Sequence, residues 1–305
     1  MFTVAGEALV DLVGRSPDFT AHAGGSPYNV AITLARLDEP VSLFARTGRD
    51  AFGAMLEVKA RESGVSFDRW DIVDEPTTLA VASLDEDGKA SYNFYFDSTA
   101  ALGWDDGVVD LVPTEGVFHL GSIATWRAPS GPVLQALQQR AYESGTTLVS
   151  YDPNIRPALI ADPGAARVSV ERCISATHLL KASDEDVAYL YPDEPMATVA
   201  ARWCDLGARA VVITLGRDGA VAYGPDGELV RRPGLPITVA DTVGAGDSFA
   251  GGLLAAIGDC APEDLPDRVG AALEAAVVTS AMTCERNGAN PPTRAERDER
   301  LATLH

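Results

Sequence analysis

Basic residues are the first scarcity. The 305-residue chain carries 24 Lys and Arg against 44 Asp and Glu, a formal charge of −20. Such a surface repels nucleic-acid phosphates and anionic lipid, so neither nucleic acid nor a membrane is expected as a partner. Cysteine is also sparse. Cys173, Cys204, Cys260 and Cys284 lie far apart with no C-x-x-C pair, and His22, His119, His178 and His305 show no ligand spacing, which argues against a structural zinc site. Nowhere do about 18 apolar residues run together, and MFTVAGEALVDLVGR has no basic residue ahead of its apolar stretch. A reduced, cytoplasmic protein is the expectation. Internal repeats, low-complexity tracts and long Pro/Gly/Ser linkers are absent as well, which removes solenoids and a flexibly joined pair of domains.

What is present is a 46% hydrophobic chain long enough for a substantial core. Short apolar runs at 2–13, 116–122, 146–154, 177–183 and 208–216 read as strands. Helical spacing appears at 26–37, 132–145 and 196–207. Continuous apolar strands alternating with helices predict an α/β fold with a doubly wound, mostly parallel sheet covered on both faces. The segment Thr77 to Phe96 breaks this rhythm: two β-rich runs flank DEDGK, with Asp87-Gly88 as the turn, so it reads as a β-hairpin and a candidate lid.

Ligands in such sheets bind beyond the carboxyl ends of the strands. Those positions carry Asp11, Gly121-Ser122, Asp152, Asn154 and Arg156, Lys181 and Ser183, Gly216, and the loop DTVGAGD at 241–247. That loop runs into a helix with Phe249, Leu253 and Ile257 on one face. A helix N-terminus leaves N–H groups unpaired and partly positive, and glycines at 244 and 246 let backbone approach an anion. Asp247 could simply cap its own helix. Alternatively, the loop steadies a transferring anionic group while Asp247 takes a proton from an attacking hydroxyl, the division of labour that phosphoryl transfer needs. No G-x-x-x-x-G-K-S/T occurs, and the third glycine of a dinucleotide fingerprint would fall on Phe249.

DTVGAGDSFAGG resembles the C-terminal signature of the ribokinase-like, or PfkB, carbohydrate kinases, and AGGSPYNVAITLARL (23–37) with GRDAFG (48–53) resembles the N-terminal one. GEALVD, DPNIRP (152–157), KASDEDVAYLYP (181–192), TLGRDGA (214–220) and ERNGANPP agree with that family, so the resemblance spans the chain. It implies one ribokinase-like domain, 1–305, with a β-stranded lid formed mainly by about 77–100 and contributions from about 11–24. It implies ATP-dependent phosphorylation of a sugar. Asp247 becomes the base, Gly244, Ala245 and Gly246 the anion hole, and Arg156 the cation beside the phosphate path. Asp11, Gly25, Asn29 and Asn154 become sugar ligands. Ser183, Thr214, Gly216, Gly219, Gly246 and Asn287 fall at the nucleotide. Asp186 is the expected magnesium residue, and Asp241, Val243 and Gly288 belong to loops that in this family cradle potassium.

The family's N-x-x-E element stands here as Ser183 and Asp186, and Asp38 replaces an expected Gly. The lid reads FYFDSTA, with Phe96-Asp97 where many relatives carry Arg, which disfavours a sugar acid needing a cation for its carboxylate. A neutral ketohexose, fructose first, is the expected substrate. 2-Keto-3-deoxygluconate, ribose, a nucleoside or a phosphosugar on the same fold, and a non-catalytic sugar-binding relative, are the alternatives. Tyr28, Tyr92, Phe94, Tyr95 and Trp126 are candidates to stack on a sugar or to pack the core. The lid's apolar face suggests a homodimer.

Overall fold

A computed structural model describes residues 1–84, 90–105, 107–108 and 112–304. The chain opens with β1 (Phe2–Ala5), β2 (Leu9–Arg15), β3 (Asp18–Gly24), α1 (Ser26–Arg36), β4 (Val41–Gly48), α2 (Ala51–Ser63) and β5 (Trp70–Val73). It continues with β6 (Leu79–Leu84), β7 (Ala90–Tyr95), β8 (Gly116–Gly121), α3 (Ile123–Trp126), α4 (Ser130–Glu143), β9 (Thr147–Asp152), α5 (Pro163–Ile174), β10 (Leu179–Ser183) and α6 (Asp184–Leu190). The last third holds α7 (Met196–Leu206), β11 (Ala210–Thr214), β12 (Ala220–Gly224), β13 (Gly227–Arg232), α8 (Ala245–Ile257), α9 (Leu265–Cys284) and α10 (Arg294–Ala302).

Nine strands form one sheet in the order β13-β12-β11-β10-β9-β8-β1-β4-β5. It is parallel from β11 to β5, and the hairpin β12–β13 adds an antiparallel edge. Successive residues go to opposite faces: Val4, Val117, Leu148 and Leu179 join one buried cluster, and Ala5, Phe118, Val149 and Leu180 join the other. Two covered faces leave no place for polar alternation, which is why these strands read as unbroken apolar runs.

The first run, expected as one strand over 2–13, is two. Gly6 sits at φ 148, where a Cβ would lie 2.4 Å from Pro27 Cγ. The chain turns there, leaving β1 in the main sheet and carrying β2 into a second sheet of order β3-β2-β6-β7. Asp11 therefore belongs to this smaller sheet and not to the carboxyl end of the first main-sheet strand. The predicted hairpin is present as β6 and β7, antiparallel, with β6 also parallel to β2. Its Asp87-Gly88 turn lies outside the described residues. Ala80, Ala82 and Phe96 are buried, and Ala80 and Phe96 pack into the second cluster of this same chain, so at least part of the lid's apolar face is covered from within.

Two motifs of the sequence serve packing here. In GRDAFG, Asp50 caps α2 through the Phe52 and Gly53 N–H groups and also accepts from the Thr77 N–H and hydroxyl, which ties the segment leading into β6 to α2. In DTVGAGDSFAGG, a Cβ on Gly251 would lie 2.6 Å from Thr33 Cβ, and one on Gly252 would lie 2.6 Å from Thr279 Oγ1. The final glycines let α8 press between α1 and α9.

Candidate active site

The N-cap of α8 is Gly244, left-handed at φ 76, and no side chain caps the helix. Of the first-turn N–H groups, that of Ala245 bonds the Thr242 carbonyl at 3.2 Å, which leaves those of Gly246 and Asp247 for a ligand. Asp247 does not cap its own helix. Its carboxylate instead accepts a 2.8 Å hydrogen bond from Asn29 Nδ2, across 218 residues of sequence. Asn29 stands in the first turn of α1 beside Gly25, where a Cβ would lie 2.5 Å from the Glu7 carbonyl oxygen. A close backbone approach is thus the demonstrable reason for glycine at 25.

Asp11 faces this pair from the lid sheet. Burial, then the nearby Asp247 charge, push its carboxyl up to about 6, and Arg156 opposes them. These interactions put Asp11, Asp247 and Arg156 within one electrostatic neighbourhood. From the main sheet comes Lys181, buried, with Nζ 2.7 Å from Asp152 Oδ2. Burial alone would lower the Lys181 pKa. Asp152, with Asp186 and Asp247 beyond it, outweighs that and holds the ammonium charged. Its Nζ would lie 3.3 Å from a Cβ on Gly246, so the positive group sits against the glycine loop. In an acidic protein, this is how local cations can receive an anionic ligand.

A cavity of about 300 Å³ collects Asn154, Arg156, Lys181, Ser183, Thr214, Gly216 and Gly246. A larger, shallow groove of about 610 Å³ at Arg49 and 72–75 contains none of them. Two expected nucleotide residues do not line the cavity. Gly219 is glycine because a Cβ would lie 2.1 Å from the Arg232 carbonyl oxygen, and Asn287 is exposed on its loop.

Asp186 differs most from expectation. One carboxylate oxygen accepts from the Ile155 N–H at 2.7 Å, and the other from the Ser183 N–H and hydroxyl. Ser183 in turn caps α6, so the pair forms a reciprocal capping box. Asp186 is a buried internal acceptor rather than an open metal ligand. Asp184 and Glu185 on the same cavity wall are the exposed carboxylates. Among the described residues no group of three or more His, Cys, Asp or Glu could hold a metal. The loops expected to cradle potassium do meet: Asp241 accepts from the Val243 N–H at 3.0 Å and the Gly288 N–H at 2.9 Å. Its carboxylate is thereby engaged, which leaves backbone carbonyls as the available oxygen donors, a set that suits a large monovalent cation.

Among the aromatic candidates, Tyr28 is fully buried and donates its hydroxyl to the Leu56 carbonyl, so it is core. Trp126 is half-buried and donates to the Pro153 carbonyl. The cation missing from the lid sequence is supplied from elsewhere: Arg127 lies 3.3 Å from Asp97 and over the Phe96 ring. Its distance in sequence hid it. Lys181 and Asp152 were visible as strand-end residues, yet their pairing was not, because it depends on the register of neighbouring strands. Glu7 gave no signal, being one acid in an apolar stretch.

A glycine-rich helix N-terminus, a carboxylate held beside it, and a buried lysine and an exposed arginine nearby, on a doubly wound sheet with a β-stranded cover, define a phosphoryl-transfer enzyme. Residues 2–296 match the model of the pfkB family carbohydrate kinases, and the chain belongs to that family. It is a sugar phosphotransferase. A fructokinase of Rhizobium leguminosarum bv. trifolii is 35% identical over 263 residues, covering 84% of this chain and 79% of that protein. Fructokinase-1 of Zea mays is 32% identical over 303 residues, covering 96% and 91%. The crystal structure of a Xylella fastidiosa fructokinase with bound ATP superposes with a TM-score of 0.89 at 26% identity, covering 99% of this chain and 98% of that one. A Vibrio cholerae O395 fructokinase double mutant with fructose, ADP and potassium gives a TM-score of 0.86 at 26% identity, covering 98% and 97%.

Proposed function

We propose that this enzyme is a fructokinase that transfers the γ-phosphoryl group of Mg·ATP to a hydroxyl of fructose. The observation that supports the reading is the 2.8 Å bond from Asn29 to Asp247, which joins the two signature segments across the chain and leaves Asp247 free of capping its own helix. In this scheme Asn29, Asp11, Gly25 and Asn154 hold the sugar, and Asp247 accepts the proton of the attacking hydroxyl. The new bond joins that oxygen to the γ-phosphorus as the bridging β,γ-oxygen bond breaks and ADP departs. Gly244, Ala245 and Gly246 receive the equatorial oxygens, with Arg156 offsetting the charge. Asp184 and Glu185 are the carboxylates that would hold magnesium, in part through water, and the metal supplies charge neutralisation on the phosphates. Carbonyls of the 241–243 and 287–289 loops would hold potassium.

A neutral sugar is supported by Arg127, whose charge is already matched by Asp97. The fructokinases among its relatives support the same choice. Residues 1–305 work as one kinase domain in this reading, with strands from 11–24 and 77–100 as the lid. Exposed Phe19 and Tyr95 on the lid favour pairing of two copies there. Among the described residues no helix is long and apolar enough to cross a membrane, which suits work in the cytoplasm on small molecules.

The test is ATP-dependent phosphorylation of a panel holding fructose, ribose, 2-keto-3-deoxygluconate and nucleosides. Fructose should give the highest kcat/KM. Asp247→Asn should lower its kcat by about 10²–10⁴ with sugar affinity retained, because an amide cannot take the proton. A variant retaining half the wild-type kcat would remove Asp247 from the role of base.

A further inference from the structure

Glu7 follows β1 in the turn that leads to the lid sheet, and it is 1% exposed. It appears in no ion pair among the described residues. Its carboxylate accepts from the Ala124 N–H at 3.1 Å, and the Ser122 hydroxyl beside it favours its charged form. Ser122 Oγ in turn accepts from Asn154 Nδ2 at 3.4 Å, and Asn154 Oδ1 accepts from Arg156 Nη1 at 2.7 Å. A chain of side chains therefore runs from a buried acid to the exposed guanidinium expected to serve the phosphate. Both middle links have left-handed backbone without being glycine, Ser122 at φ 61 and Asn154 at φ 40. Conformations of that kind persist where surrounding structure enforces them, and they gather at functional sites.

The direction of each bond follows from the first. An ionised carboxylate can only accept, so the single Ser122 proton must point at Glu7. That leaves Ser122 Oγ with lone pairs toward Asn154, which fixes the amide with its NH₂ inward. Only then does Oδ1 face Arg156. From this we infer that Glu7 is a positioning residue for the phosphoryl-transfer step, setting the polarity of the Ser122–Asn154 relay and so the placement of the Arg156 guanidinium. This rests on the Arg156 role given above.

Glu7→Gln is nearly isosteric but has an NH₂ that can donate to Ser122. The serine proton is then free to turn to Asn154, the amide reverses, and two donor groups face each other at Arg156. At about pH 8 the variant should lose on the order of 10-fold in kcat, as misplacement of a charge-bearing group does, and the reversed Asn154 amide should raise KM for fructose as well. Ser122→Ala, which cuts the same relay one link later, should behave alike and carries the test if the Gln variant folds poorly. A double-mutant cycle with Arg156→Ala decides the matter. If Glu7 acts through Arg156, Glu7→Gln adds less than about 2-fold to the loss already caused by Arg156→Ala. Multiplying losses, or an unchanged kcat in Glu7→Gln, would overturn the inference and leave the kinase reading standing. An Arg156→Ala enzyme with full kcat would remove the Arg156 role and the relay together, while the Asp247 test judges the wider reading separately.

Discussion

The two sheets of this molecule are built from similar residues and have opposite surroundings. In the main sheet β1, β4, β8 and β9 are buried at every position, because helices cover both faces. In the smaller sheet, β2 is buried only at its first two residues and β3 only at its last two, so one face and one end stay open. The difference teaches where precision and access come from. Asp152 and Lys181 belong to strands with no freedom to shift, and Lys181 reaches the glycine loop from there. Asp11 is delivered by a strand that is half-buried from Asp11 to Gly14 and exposed at Arg15, a setting with more room to move.

The sharpest way to test that contrast is to cut into each sheet. Phe118, fully buried in β8, should cost about 3–5 kcal/mol when replaced by Ala, read from urea unfolding. Tyr95, 59% exposed on the lid, should cost no more than about 0.5 kcal/mol under the same change. Comparable losses would mean that the lid is held as firmly as the core.

A somewhat smaller effect is expected at the junction of the two sheets. Burial pushes the Glu7 carboxyl up from 4.5 to about 7, against the bonds from Ser122 and Ala124 that lower it. The folded state then binds this proton more tightly than the unfolded chain. The resulting stability is complete below the unfolded pKa and is lost as pH rises through about 7. Relative to Glu7→Gln, the wild type should lose about 2–3 kcal/mol of unfolding free energy between about pH 4.5 and 8. Parallel pH profiles for the two proteins would place Glu7 outside the titrating set.

The smallest effect separates the ligands. Asp11→Ala should weaken fructose binding by about 10-fold, since sugar hydroxyls would lose an acceptor in a closed site, and should leave ATP binding within about 2-fold. Calorimetry measures both. Equal losses would show that Asp11 holds the lid sheet together and does not read the sugar.

Local rules were enough for much of this protein. Continuous apolar runs fix a covered parallel sheet, helical spacing places α1, α4 and α7 within a residue or two, and DTVGAGDSFAGG announces both a glycine turn and the helix behind it. Those features are written in neighbouring residues, where periodicity and backbone freedom act. Only the tertiary structure could split the first run at Gly6 and send Asp11 into the second sheet, because the steric cause is Pro27, about 20 residues on. It also decided that Asp247 answers to Asn29 rather than to its own helix, and that Asp186 spends its oxygens on Ser183 and Ile155. Each of those outcomes is a competition among partners distant in sequence. The electrostatics follow the same division: the sequence determines the total charge, whereas the fold decides that Lys181 and Arg156 line one cavity with Gly246.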